Sequence, residues 1–223
     1  MRTIKGWLKN MKISVSILKS KLPRSKCIEK VEKTDADFIH VDFMDNTFVK
    51  RSTFSKEEVM DLFKDTTKDL DIHLMVNHPK EYIDAFSKLK ACKYIIIHEE
   101  INHDIGGLIE YIHFKGKKAG IAINPYTKVE AVKPYLENTD YCLIMGVIPG
   151  FGGQELITST TMKIDELMRI RDDLDYHFEI SFDGGVNGDT IKLLDGLDIA
   201  VSGSFVAMSD NYQKQINKLR RGE

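Results

Sequence analysis

Eight short apolar, β-branched runs recur along the chain, and the stretches between them carry helical spacing. This alternation limits the fold more than any other feature of the sequence. The runs are KISVSIL (12–18), FIHVDFM (38–44), DIHLMV (71–76), YIIIHEE (94–100), KAGIAIN (118–124), YCLIMGV (141–147), HFEISFD (177–183) and IAVSGSF (199–205). Strand–helix alternation implies parallel strands joined by right-handed crossovers. Eight such units in a chain of 223 residues match a small α/β (β/α)8 TIM barrel, a fold that takes roughly 200–250 residues. A doubly wound open sheet is the competing architecture. It has fewer strands and often a glycine-rich first turn, whereas the first run here leads into KSKLPRS, which has no glycine. Residues 11–223 are therefore expected to form one barrel domain. MRTIKGWLKN (1–10) is expected to be a short extension, too short and too polar for a signal peptide. Helices are expected over KEEVMDLFKDTTKDL (56–70) and TSTTMKIDELMRIRDDL (158–174), with Thr158, Ser159 and Thr160 as N-cap candidates for the second.

The charge balance narrows the partners. Formal net charge is −2 and there is no basic block, which argues against a nucleic-acid ligand but leaves room for a small phosphorylated one. No apolar stretch approaches the ~20 residues of a membrane helix. Cys27, Cys92 and Cys142 are scattered and form no CxxC pair, the pattern of a reduced, cytoplasmic protein.

Barrel active sites gather at the C-terminal ends of the strands, and polar residues do collect there. Strand side chains alternate with period two. His40 and Asp42 therefore share a face with Phe38 and Met44. The third run adds His73 and the seventh ends in Asp183. Two imidazoles and two carboxylates could converge from three strands, a donor set that suits Zn²⁺ or Fe²⁺, and also Mn²⁺ or Co²⁺. A lone strand histidine is usually a hydrogen-bonded core residue. Four such groups, two of them acids, need a metal or mutual hydrogen bonds to offset the cost of burial.

Three successive strand ends carry glycine-rich turns: GVIPGFGGQ (146–154), DGG (183–185) and SGSF (202–205). Turns after the last strands form the common phosphate site of such barrels, and no Walker-type GK[ST] follows any of them, which argues against a nucleoside triphosphate. Metal, phosphate and two acids together suggest proton removal next to a ketone in a sugar phosphate. One carboxylate takes the proton and the other returns it from the opposite face, which inverts that carbon. Met44, Met75 and Met145 fall at or near strand ends and could cap the intermediate.

ISVSIL, IHVDFMDNTFV, DIHLMV, INPYT, MGVIPGFGGQ, FDGGVN and VSGSF resemble, in order and spacing, the signatures of the ribulose-phosphate 3-epimerase family over about residues 12–215. The resemblance implies a metal-dependent barrel that interconverts D-ribulose 5-phosphate and D-xylulose 5-phosphate. It implies His40, Asp42, His73 and Asp183 as ligands of one divalent ion, with Asp42 and Asp183 as the acid–base pair. It implies substrate contacts from Ser16, His73, Gly150, Phe151, Gly152, Gly153, Asp183, Gly184, Gly185, Gly203 and Ser204, and a cap of Met44, Met75 and Met145. A homo-oligomer with a ketose phosphate substrate is expected.

The departures lie beside the site. Val15 stands in place of a proline and Asn46 in place of a glycine. Lys50 replaces a second proline. Gly146 and Ile148 replace a small polar pair, and SFDGG replaces EVDGG. These changes bear on substrate choice. The alternatives are a 3-epimerase of a hexulose 6-phosphate such as D-allulose 6-phosphate and a catalytically weak sugar-phosphate binder. A decarboxylase or aldolase ranks below both, because no lysine lies in the C-terminal half of an expected strand.

Overall fold

The structure, a computed structural model, describes residues 11–223. Its eight strands are β1 (Lys12–Ser16), β2 (Phe38–Met44), β3 (Asp69–Met75), β4 (Cys92–His98), β5 (Lys118–Ile123), β6 (Tyr141–Met145), β7 (Glu179–Asp183) and β8 (Ile199–Ser202). All pair in parallel, and the sheet closes in the order β1 to β8, with Lys12–Val15 registered against Ile199–Ser202. The (β/α)8 barrel expected from the sequence is the fold observed. Each strand lies within a few residues of its expected run, because a strand buried on both faces must be apolar along nearly its whole length.

The two faces of the strands serve different layers. Ile39, Val41 and Phe43 of β2 point outward and join the layer that holds Val59 and Phe63 of α2 (Lys56–Phe63) and Ile83 and Phe86 of α3 (Lys80–Phe86). Phe38, Tyr94, Tyr141, Leu143, Ile199 and Val201 point inward and fill the barrel. At its floor Tyr94 donates to Glu179 (2.6 Å), which also pairs with Lys12. Above the floor Tyr141 donates to Asp71 (3.0 Å) and accepts from Ser181 (2.8 Å).

The connections are less regular than expected. Helices α1 (Arg24–Glu32), α2, α3, α4 (Ile105–Phe114) and α5 (Met162–Leu174) follow the pattern. β5 and β6 are instead joined by the 3-10 turns Val129–Ala131 and Lys133–Asn138, the second with Pro134 in its first turn. β7 and β8 are joined by a segment whose only regular piece is the 3-10 turn Ile191–Leu193. The expected helix from residue 56 stops at Phe63, and β3 takes up Asp69 and Leu70. Thr158, Ser159 and Thr160 do not cap α5. They form a 3-10 turn in which Thr160 donates to Ile157 O, and no side chain caps the helix. The capping box sits instead at α2, where Ser55 accepts from the Glu58 N–H and Glu58 accepts from the Ser55 N–H. The eighth run ends as a strand at Ser202, and its remainder enters α6 (Ser204–Ala207), before α7 (Tyr212–Arg221).

The expected extension 1–10 lies outside the described residues. Among those residues no helix is long and apolar enough to cross a membrane. The three cysteines are free and buried, and burial pushes Cys92 and Cys142 up to about 12.

Candidate active site

Period-two alternation puts Phe38, His40, Asp42 and Met44 in a column up the inside of β2, and the register aligns Asp42 with His73 of β3. Asp183 stands at the end of β7, with β8 and β1 between it and β2. One donor atom from each of His40, Asp42, His73 and Asp183 can be chosen so that all lie within 4.8 Å of one another. His40 Nε2 is 3.5 Å from Asp42 Oδ1 and 3.8 Å from Asp183 Oδ2, and His73 Nδ1 is 3.6 Å from Asp42 Oδ1. Those spacings are too long for hydrogen bonds. They are close to the roughly 3.4 Å that separates donors held about 2.1 Å from a tetrahedral ion. His40 Nε2 and His73 Nδ1 are buried with no hydrogen-bond partner. Two orphaned imidazole nitrogens beside two carboxylates fit a divalent cation.

The other nitrogen of each ring is fully engaged, and this fixes which nitrogen faces the centre. His40 Nδ1 donates to Asp71 (2.9 Å), which also accepts from Ser14 (2.7 Å) and Tyr141. His73 Nε2 meets His98 Nε2 at 2.8 Å, and His98 Nδ1 meets Glu100 at 2.9 Å. Because Glu100 can only accept, His98 donates to it from Nδ1 and accepts at Nε2. His73 must then donate from Nε2, leaving its Nδ1 lone pair for the centre. Glu100 is itself braced by Asn124 N–H (2.7 Å) and Thr127 Oγ1 (2.5 Å).

The two aspartates are driven apart. Burial raises Asp42, but the charge of His40 and the polar contacts of His40 and His73 together outweigh it and hold the carboxyl far below the usual range. Burial, then the charge of Asp42, pushes Asp183 up to about 7, against the pull of His40. Burial lowers His73 to about 4. For His40 burial acts downward too, but Asp71 and Asp42 together hold it well above the usual value. Asp42 is thus held ionised, and Asp183 is the one of the pair that more readily carries a proton.

Above this cluster opens a cavity of about 480 Å³ at the C-terminal end of the strands. Ser16, Asp42, Met44, Met75, Met145, Gly150, Phe151, Gly152, Gly153, Asp183, Gly184, Gly185, Gly203 and Ser204 line it. His40 and His73 lie fully buried beneath. Ser16 donates to Asp42 (2.6 Å). Gly184 and Gly185 take φ of 112° and 71°, a region closed to most side chains, and a Cβ on Gly185 would meet Leu156 N at 2.7 Å. Phe151 is 63% exposed at the rim. Arg51 reaches over from the segment after β2, donates to Gly150 O (2.8 Å) and stands over the Phe151 ring.

The departures from the family pattern have local causes. Asn46 takes a left-handed backbone, at φ 69°, which asparagine tolerates better than most residues. A Cβ on Gly146 would meet the Phe182 ring at 2.3 Å and Gly184 O at 2.6 Å. Gly146 is therefore kept free of a side chain by both the Phe182 ring and the turn after β7. Asp71, His98 and Glu100 were not singled out from the sequence. The signal was present: Asp71 shares a face with His73 by the same two-residue spacing, and His98 and Glu100 share one in IIIHEE.

The model of the ribulose-phosphate 3 epimerase family matches residues 12–207. The ribulose-phosphate 3-epimerase of Bacillus subtilis is 37% identical over 196 residues, covering 86% of this chain and 90% of the relative. That of Synechocystis is 35% identical over 220 residues, covering 96% and 95%. Among solved structures, KGPDC from Streptococcus mutans superposes with a TM-score of 0.65 at 13% identity, covering 95% of this chain and 96% of its own, a likeness of fold alone. With a barrel whose strand ends carry the expected histidines, aspartates and glycine turns, this chain belongs to the ribulose-phosphate 3-epimerase family of enzymes.

Proposed function

We propose that the chain inverts C3 of D-ribulose 5-phosphate to give D-xylulose 5-phosphate, with Asp42 and Asp183 as the two proton carriers. The observation that carries this reading is the cluster itself: Asp42 and Asp183 both line the cavity, and each offers a carboxylate oxygen within 4.8 Å of the other and of a nitrogen from His40 and His73. Asp42 takes the C3 proton on one face. The C–H electron pair moves into a C2–C3 double bond, and the carbonyl pair moves onto the C2 oxygen. Asp183 then gives its proton to C3 from the other face as the carbonyl re-forms, and the pair ends with its protons exchanged. The return reaction starts from that state. His40 and His73 would hold a divalent cation together with the two aspartates, and such an ion, when bound, supplies Lewis acidity for the negative charge that grows on the substrate oxygens. Ser16 holds Asp42 in place. Met44, Met75 and Met145 keep the reacting carbons in an apolar, polarisable setting. The glycine turns after β6, β7 and β8 take the phosphate.

A coupled assay with D-ribulose 5-phosphate, before and after chelation and with Zn²⁺, Fe²⁺, Mn²⁺ or Co²⁺ added back, tests the reading. The expected result is formation of xylulose 5-phosphate that disappears on chelation and returns with metal. A hundredfold preference in kcat/KM for D-allulose 6-phosphate would replace the pentulose with the hexulose. Binding of both sugars without turnover under any metal would make the chain a sugar-phosphate binder.

A further inference from the structure

Lys19 has no place in the roles assigned so far. It follows β1 in the segment KSKLPRS, and its side chain is exposed. Among the described residues no carboxylate oxygen lies within 4.0 Å of its ammonium. Yet the side chain does not point into open solvent. A Cβ on Gly152 would lie 3.2 Å from Lys19 Cβ, and a Cβ on Gly153 would lie 2.6 Å from Lys19 Nζ. The stem therefore runs along the turn after β6, and the charge rests against Gly153, whose φ of 81° and missing side chain leave that approach open.

The charges around the cavity give this placement a purpose. Among the described residues that line it, Lys19 is the sole cation, against Asp42, Glu155 and Asp183. A phosphate monoester carries about −1.5 to −2 at neutral pH. Backbone N–H groups of the glycine turns can orient it but bring no net charge, and a fixed cation on the cavity wall draws it in. We infer that Lys19 is a substrate-binding residue whose ammonium pairs with the phosphate of the ketose phosphate, across the Gly152–Gly153 turn. This rests on the cavity being the ketose phosphate site. The phosphate is remote from C3, so the contact acts equally on bound substrate and on the transition state, and its loss appears in KM with kcat unchanged.

The test uses Lys19→Met, which keeps the stem beside Gly152 and removes only the charge, together with Lys19→Arg. With metal-loaded full-length protein, Lys19→Met is expected to raise KM for D-ribulose 5-phosphate about tenfold with kcat within about twofold, in line with the loss of one partly solvated charge-assisted contact. Its inhibition constant for inorganic phosphate should rise by a similar factor. The fall of kcat/KM with added salt should flatten, and Lys19→Arg should restore all three. A KM and a phosphate inhibition constant both within twofold of wild type in Lys19→Met would overturn the inference. So would a loss confined to kcat. The wild-type arm separates this failure from the broader one: wild-type protein with no turnover of D-ribulose 5-phosphate overturns the substrate reading and the inference with it, whereas normal wild-type turnover beside an unaltered Lys19→Met overturns the inference alone.

Discussion

At the floor of the barrel Glu179 accepts from Tyr94 and pairs with Lys12, while at the mouth His40 Nε2 and His73 Nδ1 are buried and have no partner. Both regions are built from inward-pointing strand residues of the same barrel. At the floor the polar atoms are matched to one another, which is what burial ordinarily demands. At the mouth each imidazole is anchored by one nitrogen and left open at the other. Polar groups so arranged cost stability and give binding capacity, so incomplete pairing marks the functional end of the barrel as clearly as the strand direction does.

Substitutions at the two ends should therefore separate activity from stability. The largest effect is expected from Asp42→Asn and Asp183→Asn, each lowering kcat by at least about 10²-fold with the folded circular-dichroism spectrum kept. Wild-type turnover in either would dissolve the two-acid scheme. A smaller effect is expected one step behind the cluster. Glu100→Gln removes the acceptor that sets His98, and through it His73, and metal affinity by equilibrium dialysis should fall about 10- to 100-fold. Unchanged affinity would mean that the tautomer of His73 is fixed by something other than this chain of hydrogen bonds. The smallest belongs to the floor. Tyr94→Phe should cost about 1 kcal/mol in chemical denaturation and leave kcat alone. A drop in kcat there would show that floor and mouth are coupled.

Much of this was legible before any coordinates. The strands could be read because a parallel strand buried on both faces has to be a nearly unbroken apolar run, and a polar residue inside such a run stands out. His40, Asp42, His73 and Asp183 stood out in that way, and the structure brings all four together. Asp71 obeyed the same rule but was passed over inside DIHLMV, since nothing local reveals that Ser14, His40 and Tyr141, from three other strands, all point at it. Lys19 lay in a segment with no periodicity, where only closure of the barrel brings β1's exit beside the turn after β6. The helical connections were read less well. The Thr160 hydroxyl, which looks like a cap, turns back to Ile157 O, and the β5–β6 and β7–β8 crossovers hold only 3-10 turns.

The missing side chain at Gly146 ties two strand ends together. A Cβ there would press on both the Phe182 ring and Gly184 O, so any larger residue at the exit of β6 has to displace the ring and also the turn that follows β7. This part of the cavity wall is therefore the joint property of two neighbouring strands. A redesign that widens or lines it differently would have to move β6 and β7 as one piece.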